Sequence, residues 1–249
     1  MIEPPEPFFD RAVGVPDVRG ALHRPVEDNG DALVLTHGAG SNADSPLLVV
    51  VAAAFAARGV TVLRCDLPFR QARSSGPPSP HSAAADREGL RHAVAAVRAL
   101  VSGRVFVGGH SYGGRQATML AASDPELTTG LLLLAYPLHP PTRPTDLRTA
   151  HFAALRTPAL FVHGTADPFA SIEELTTALG LIPAATRLLT VEGAGHDLGR
   201  GRRPIIRGTP FAETVVAQFA DLVARRSGVV DQRATGRSSR LPHSTHERS

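Results

Sequence analysis

Val105-Phe-Val-Gly-Gly-His-Ser-Tyr-Gly-Gly-Arg-Gln-Ala-Thr-Met-Leu-Ala-Ala122 passes from an apolar run through a glycine-rich turn into a helix-forming segment. Val105 to Gly108 reads as a buried strand and Gly114 to Ala122 as a helix. Between them, Gly109-His-Ser-Tyr-Gly113 is a G-x-S-x-G pattern. The pentapeptide alone is a weak signal, but a strand before it and a helix after it are what a nucleophile elbow demands. The glycines follow from a sharp, strained turn whose flanking chains come too close for Cβ atoms. Ser111 is therefore expected at a strand end and at a helix N-terminus, whose partial positive charge favours a developing oxyanion.

The same alternation extends both ways along the chain. Ala32 to Thr36, Val60 to Cys65, Leu131 to Leu134, Ala159 to His163 and Arg187 to Val191 are short apolar or β-branched strands. Helices are expected at Pro46 to Arg58, started by Ser45 with Gly59 just past its end, and at Ala83 to Val101, Ser171 to Leu181 and Pro210 to Arg226. The first 30 residues are Pro-rich, with one edge strand near Val18 to Leu22, and Asp66 leads into a long Pro/Ser loop. This order implies an α/β fold: a mostly parallel central sheet with helices on both faces. Right-handed crossovers put every strand's C-terminal end on one edge, where ligands bind.

A serine hydroxyl needs a base, and the base needs an orienting carboxylate. After an elbow they are expected in the order serine, acid, histidine. Phe161-Val-His-Gly-Thr-Ala-Asp167 is a strand running into a loop that presents Asp167, and Leu189-Thr-Val-Glu-Gly-Ala-Gly-His196 does the same for His196. Both lie on the edge where Ser111 emerges. His110 is expected to point away from the nucleophile, and His37 and His163 to tie turns together. Asp66 precedes Ser111 and breaks the order, Asp197 is adjacent to His196 and cannot easily face it, and Asp146 lies well beyond its strand. The turn His37-Gly-Ala-Gly40 supplies backbone N–H groups that, with that of Tyr112, can hold an oxyanion; Ala39 is preferred, with Gly38 as the fallback. A Lys-Ser/Thr phosphate loop, a dinucleotide G-x-G-x-x-G and a metal-ligand spacing are all missing, so neither a cofactor nor a metal is implied.

The 249 residues fit one domain, expected over residues 1–226, and a core large enough to fold without disulfides. Cys65 is the only cysteine, which excludes an internal disulfide and suggests a small buried hydrophobe. No apolar run reaches the ~18 residues of a spanning helix, and the start lacks a secretion signal, so a cytoplasmic protein is expected. The formal charge of +3 comes from 26 arginines and no lysine. Gly199 to Gly208 carries +4 and Ser227 to Ser249 carries +2, leaving the rest at −3. The basicity is local and argues against a general nucleic-acid footprint. Residues 227–249 are Arg/Ser/Thr-rich and read as a disordered tail.

Taken together, the H-G turn, the G-H-S-Y-G elbow, the H-G-T-A-D acid loop and the G-A-G-H base loop resemble the α/β-hydrolase superfamily over roughly residues 30 to 225. Arg64-Cys-Asp-Leu-Pro-Phe-Arg70, Tyr136-Pro-Leu-His-Pro-Pro141 and His163-Gly-Thr-Ala-Asp-Pro-Phe169 are similar to a small lidless group close to dienelactone-hydrolase-like proteins. That group includes a subunit of the non-specific lethal histone acetyltransferase complex. The resemblance implies Ser111, Asp167 and His196 as a catalytic set, although dienelactone hydrolases proper use a cysteine where this chain has Ser111. Ala135 to Pro158 is too short for a folded cap. A shallow open pocket is expected, lined by Ala39, Pro68, Phe69, Tyr112, Tyr136, Pro137 and Phe169. Of these, Phe69 and Tyr136 are the expected substrate contacts. Arg202 and Arg203, just after His196, could meet an acidic substrate group, although a solvated loop is the simpler reading. The function implied is a serine hydrolase acting on a small carboxylic ester or similar acyl compound. The partner is then a small-molecule substrate rather than nucleic acid or membrane, and a monomer and a homodimer are equally compatible. A non-catalytic interaction module with a retained hydrolase fold is the alternative.

Overall fold

The computed structural model of the chain describes residues 4–199 and 210–224. Six parallel strands form the centre of one eight-stranded sheet: β3 (Ala32–Thr36), β4 (Thr61–Cys65), β5 (Val105–His110), β6 (Leu131–Leu134), β7 (Ala159–Gly164) and β8 (Thr186–Val191). An antiparallel hairpin, β1 (Glu6–Asp10) and β2 (Val18–His23), extends it beyond β4. The order β1-β2-β4-β3-β5-β6-β7-β8 reverses at β3. The chain runs outward from β3 to β4 and returns to β5 on the other side. That reversal opens a crevice above the C-terminal ends of β3 and β5. Every residue of β3, β4 and β6 is buried, as strands covered on both faces require.

Helices α3 (Ala83–Arg98), α4 (Tyr112–Ser123) and α5 (Ile172–Leu179) cover one face. Leu90, Val94, Val97, Ala117, Leu120 and Leu175 pack there against Val34, Leu63, Val107 and Leu133. Helices α1 (Pro46–Ala56) and α6 (Pro210–Ala224) cover the other, setting Leu48, Val51, Phe55, Val215 and Phe219 against Leu33, Val62, Phe106 and Leu132. The expected mostly parallel sheet with helices on both faces is thus present. Between β6 and β7 the described residues hold only a single 3₁₀ turn, Phe152–Ala154, and no cap domain.

Two elements lie where irregular chain was expected. Strand β1 contains Pro7, paired with Ala21. A proline is tolerated there because β1 is the edge strand. Helix α2 (Pro68–Ala72) interrupts the Pro/Ser loop, with Pro68 at its first position. Ser45 does precede α1, but its side chain makes no capping bond and its buried hydroxyl has no partner among the described residues. Cys65 is buried on β4, where burial pushes its thiol up to about 12, so it stays protonated and inert. No helix among the described residues is long and apolar enough to cross a membrane. Residues 227–249, expected as a tail, lie outside the described residues.

Candidate active site

The turn between β5 and α4 is as tight as the G-x-S-x-G pattern implies. A Cβ on Gly113 would sit 2.6 Å from the His37 carbonyl oxygen, and one on Gly109 would sit 2.7 Å from the Gly113 carbonyl carbon. Both obstacles are backbone and cannot swing aside. Ser111 at the apex has φ 50° and ψ −113°, a conformation normally left to glycine. Its N–H is held by the Leu134 carbonyl at 2.9 Å, so the neighbouring strand β6 helps fix the strained residue.

Two loops from β7 and β8 converge on it. Ser111 Oγ is 2.8 Å from His196 Nε2. His196 Nδ1 is 2.8 Å from Asp167 Oδ2 and 3.0 Å from Asp167 Oδ1. The Asp167 side chain is fully buried, and its Oδ1 also accepts the Phe169 N–H at 2.9 Å. The loops are tied to each other by Ala166 N–H to the Ala194 carbonyl at 2.9 Å and Gly193 N–H to Thr165 Oγ1 at 2.8 Å. The Phe169 ring stacks on His196 with centroids 4.0 Å apart, limiting how far the imidazole can swing. This is the hydrogen-bonded order in which an acid fixes a histidine tautomer and the histidine takes a serine proton.

The histidines set aside in the sequence have other duties. His37 Nε2 accepts the Leu67 N–H at 3.1 Å, so its proton is on Nδ1, which donates to the Gly38 carbonyl at 2.9 Å. Burial holds its proton affinity down, consistent with a neutral ring. His163 is fully buried and bonds the Ala170 carbonyl at 3.0 Å. His110 points to the base loop, where its Nε2 meets the His196 carbonyl at 2.7 Å. Burial pushes His110 down to about 4, so it is neutral at pH 7 and donates through Nε2. Of the competing acids, Asp66 accepts the Ala43 N–H, Asp146 pairs with Arg143, and Asp197 caps the Gly199 N–H of its own turn.

The turn after β3 faces the serine: a Cβ on Gly38 would be 3.4 Å from Ser111 Cβ. Among the described residues the Ala39 N–H has no backbone or side-chain acceptor, and the Tyr112 N–H, first in α4, has none within its helix. Sequence reasoning missed what holds this turn. Arg70 on α2 is buried and lacks a carboxylate partner among the described residues. Instead it donates to the carbonyls of Ala39 (2.9 Å), Ser41 (2.8 Å), Arg73 (3.2 Å) and Gly76 (2.9 Å). Fully buried Asp86 on α3 accepts from the Phe69 N–H at 2.9 Å and the Tyr112 hydroxyl at 2.7 Å, docking α2 against α4. The signal for Arg70 was present in Asp66-Leu-Pro-Phe-Arg70, but only its fold partners reveal its task.

Two expected substrate contacts need correction. Tyr136 is 1% exposed. Its ring packs on Phe152 and Phe161, and its hydroxyl donates to the Arg148 carbonyl at 2.7 Å, so it offers no surface to a ligand. Pro137 is buried beside it. Phe69 is buried too, edge-on to Tyr112 with centroids 5.6 Å apart, and supports the site rather than lining it. Ala39, Tyr112 and Phe169 remain partly exposed around Ser111. Arg202 and Arg203 lie outside the described residues. A surface hollow of about 670 Å³ is lined by Val26 to Asn29 and Ala56 to Gly59, at the opposite edge of the sheet from the serine.

The profile of a family described as an alpha/beta hydrolase domain matches residues 29–223, most of the chain. The chain belongs to the α/β-hydrolase family. Several solved structures share this fold. A lidless α/β serine hydrolase from Xanthomonas campestris matches at TM-score 0.67 and 17% identity, covering 91% of this chain and 97% of that one. Dienelactone hydrolase from Anabaena variabilis matches at TM-score 0.65 and 22% identity, with 89% and 98% covered. Est1E from Butyrivibrio proteoclasticus matches at 0.68 and 15%, with 88% and 99% covered. At these identities the likeness is one of fold.

Proposed function

We propose that this α/β-hydrolase is a serine hydrolase that cleaves a small carboxylic ester or related acyl compound through an acyl-enzyme on Ser111. The observation that carries this reading is the continuous chain from Ser111 Oγ through His196 to buried Asp167, with both contacts at 2.8 Å. Ser111 Oγ attacks the acyl carbonyl while His196 Nε2 takes its proton. The Asp167 carboxylate keeps the Nδ1 proton of His196 in place and stabilises the imidazolium that forms. The N–H groups of Ala39 and Tyr112, with Gly38 in reserve, receive the oxyanion; losing one such donor costs about 3 kcal/mol of barrier. His196 returns the proton to the leaving group, and water attacks the acyl-enzyme by the same route in reverse.

The reading is tested by labelling with a fluorophosphonate probe and by turnover of short esters. A covalent adduct on Ser111, lost in His196→Ala, is the expected result. No adduct on folded protein, or equal labelling in His196→Ala, would sink the reading and favour a non-catalytic interaction module, which predicts a stable partner and no turnover.

A further inference from the structure

Arg115 stands one helical turn after Ser111, with its backbone N–H on the Ser111 carbonyl at 3.0 Å. It therefore leaves α4 on the sheet edge that carries the candidate site. Its Nε is buried without a hydrogen-bond partner among the described residues. No carboxylate lies within ion-pairing distance of it there, although eight other arginines, from Arg11 to Arg187, each have one. Its terminal nitrogens also lack a protein partner among the described residues, yet they are not sealed from solvent.

Arg148 likewise has no carboxylate partner among the described residues, though it does have a carbonyl one. Half-buried, its guanidinium donates to the Pro137 carbonyl at 3.2 Å. Tyr136 holds its backbone through the 2.7 Å bond to the Arg148 carbonyl. The same segment continues into His151, whose Nε2 is 2.8 Å from Thr118 Oγ1. Thr118 lies three residues beyond Arg115, on the same face of α4. These contacts bring the segment that carries Arg148 against the Arg115 face of α4, and burial, followed by the nearby Arg115 charge, lowers the proton affinity of Arg148. His151, pushed down to about 4 mainly by burial, is neutral and adds no balancing charge. Asp146 acts on Arg148 only from the exposed surface, where it is paired with Arg143.

Two adjacent guanidiniums without a counter-ion, one with an unsatisfied buried donor, are costly unless something anionic completes them. We propose that Arg115 and Arg148 form an anion subsite beside Ser111, and that the acyl substrate carries a carboxylate there. The planar fork of arginine suits a carboxylate in two parallel bonds. The substrate class rests on the serine-hydrolase reading; the anion subsite itself does not.

Two matched pairs test it. The pair 4-acetoxybenzoate and 4-acetoxybenzamide places the charge on the leaving group, and mono-4-nitrophenyl adipate against 4-nitrophenyl hexanoate places it on the acyl group. In one pair the acid-to-neutral ratio of kcat/KM is expected to fall about ten-fold in Arg115→Met, less in Arg115→Lys, and to hold in exposed, remote Arg58→Met. Ratios within about two-fold of the unmodified protein, in both pairs and in both Arg115→Met and Arg148→Met, would overturn the proposal. Should Arg115→Met fail to fold, Arg115→Lys and Arg148→Met decide. If no ester is turned over, the hydrolase reading fails by itself and the subsite is judged by calorimetry on Ser111→Ala. There 4-acetoxybenzoate is expected to bind more tightly than the amide and to lose about ten-fold with Arg115→Met added. Equal binding of acid and amide, or no binding of either, removes the subsite.

Discussion

His110 Nε2 donates to the backbone carbonyl of His196 at 2.7 Å, so the residue before the serine holds the loop that carries the serine's partner. The bond spans 86 positions of sequence and sets where the His196 imidazole stands relative to Ser111. Loss of the bond is expected to loosen that placement while leaving the imidazole itself intact.

His110→Phe should lower the rate of fluorophosphonate labelling and kcat/KM for a short ester about ten-fold. His110→Gln, whose amide N–H lies near the position of Nε2, should recover most of it. Equal rates in the unmodified protein and His110→Phe would show that the loop is held without this bond.

The same residue gives the fold a pH dependence. Its folded proton affinity is depressed to about 4, below the ordinary value of 6.5. The unfolded chain therefore binds more protons between those values, and stability falls as pH drops through that window. The loss is on the order of 2–3 kcal/mol from this group. Urea midpoints at pH 7 and pH 4.5 measure it, and His110→Gln should reduce the dependence by this group's share, leaving that of the similarly depressed His151. A flat profile in the unmodified protein would contradict the assignment.

Ser111 holds a conformation that costs a non-glycine residue about 1–3 kcal/mol. Ser111→Ala keeps the strain, whereas Ser111→Gly relieves it against a smaller entropic penalty in the unfolded chain. The glycine variant should exceed the alanine variant in stability by about 1 kcal/mol, read as the urea midpoint, with labelling absent from both. The opposite ranking would mean that the elbow is unstrained.

Arg70 orders the turn that presents the Ala39 N–H by donating to the Ala39 and Ser41 carbonyls. Arg70→Met should lower kcat about ten- to a hundred-fold with KM changed only a few-fold, because an oxyanion donor acts mainly in the transition state. Arg70→Lys should not rescue it, since a single ammonium cannot span four carbonyls. A rise in KM with kcat intact would place Arg70 in substrate binding instead.

Much of this was legible along the chain. Strands β3 to β8 announce themselves as short apolar runs, and Ser111, Asp167 and His196 each follow one of them. Strand β1 was hidden because Pro7 and weak alternation mask an edge strand, and α2 because five residues carry no period. The substrate contacts were the poorest inference. Tyr136 follows β6 at the correct edge, but its direction depends on Phe152 and Phe161, far along the chain.

The sequence by itself determined the strand alternation, the elbow with its two indispensable glycines, and the order serine, acid, histidine. These are local properties, set by side-chain periodicity and by backbone sterics within a few residues. Tertiary structure alone decided that Arg70 spans four carbonyls, that Asp86 joins α2 to α4, that His110 serves His196, and that Arg115 and Arg148 stand near each other with no carboxylate partner among the described residues. Each of these depends on where side chains from distant segments end. That is fixed only when the crossovers have stacked the helices on the sheet and brought the loops to one edge.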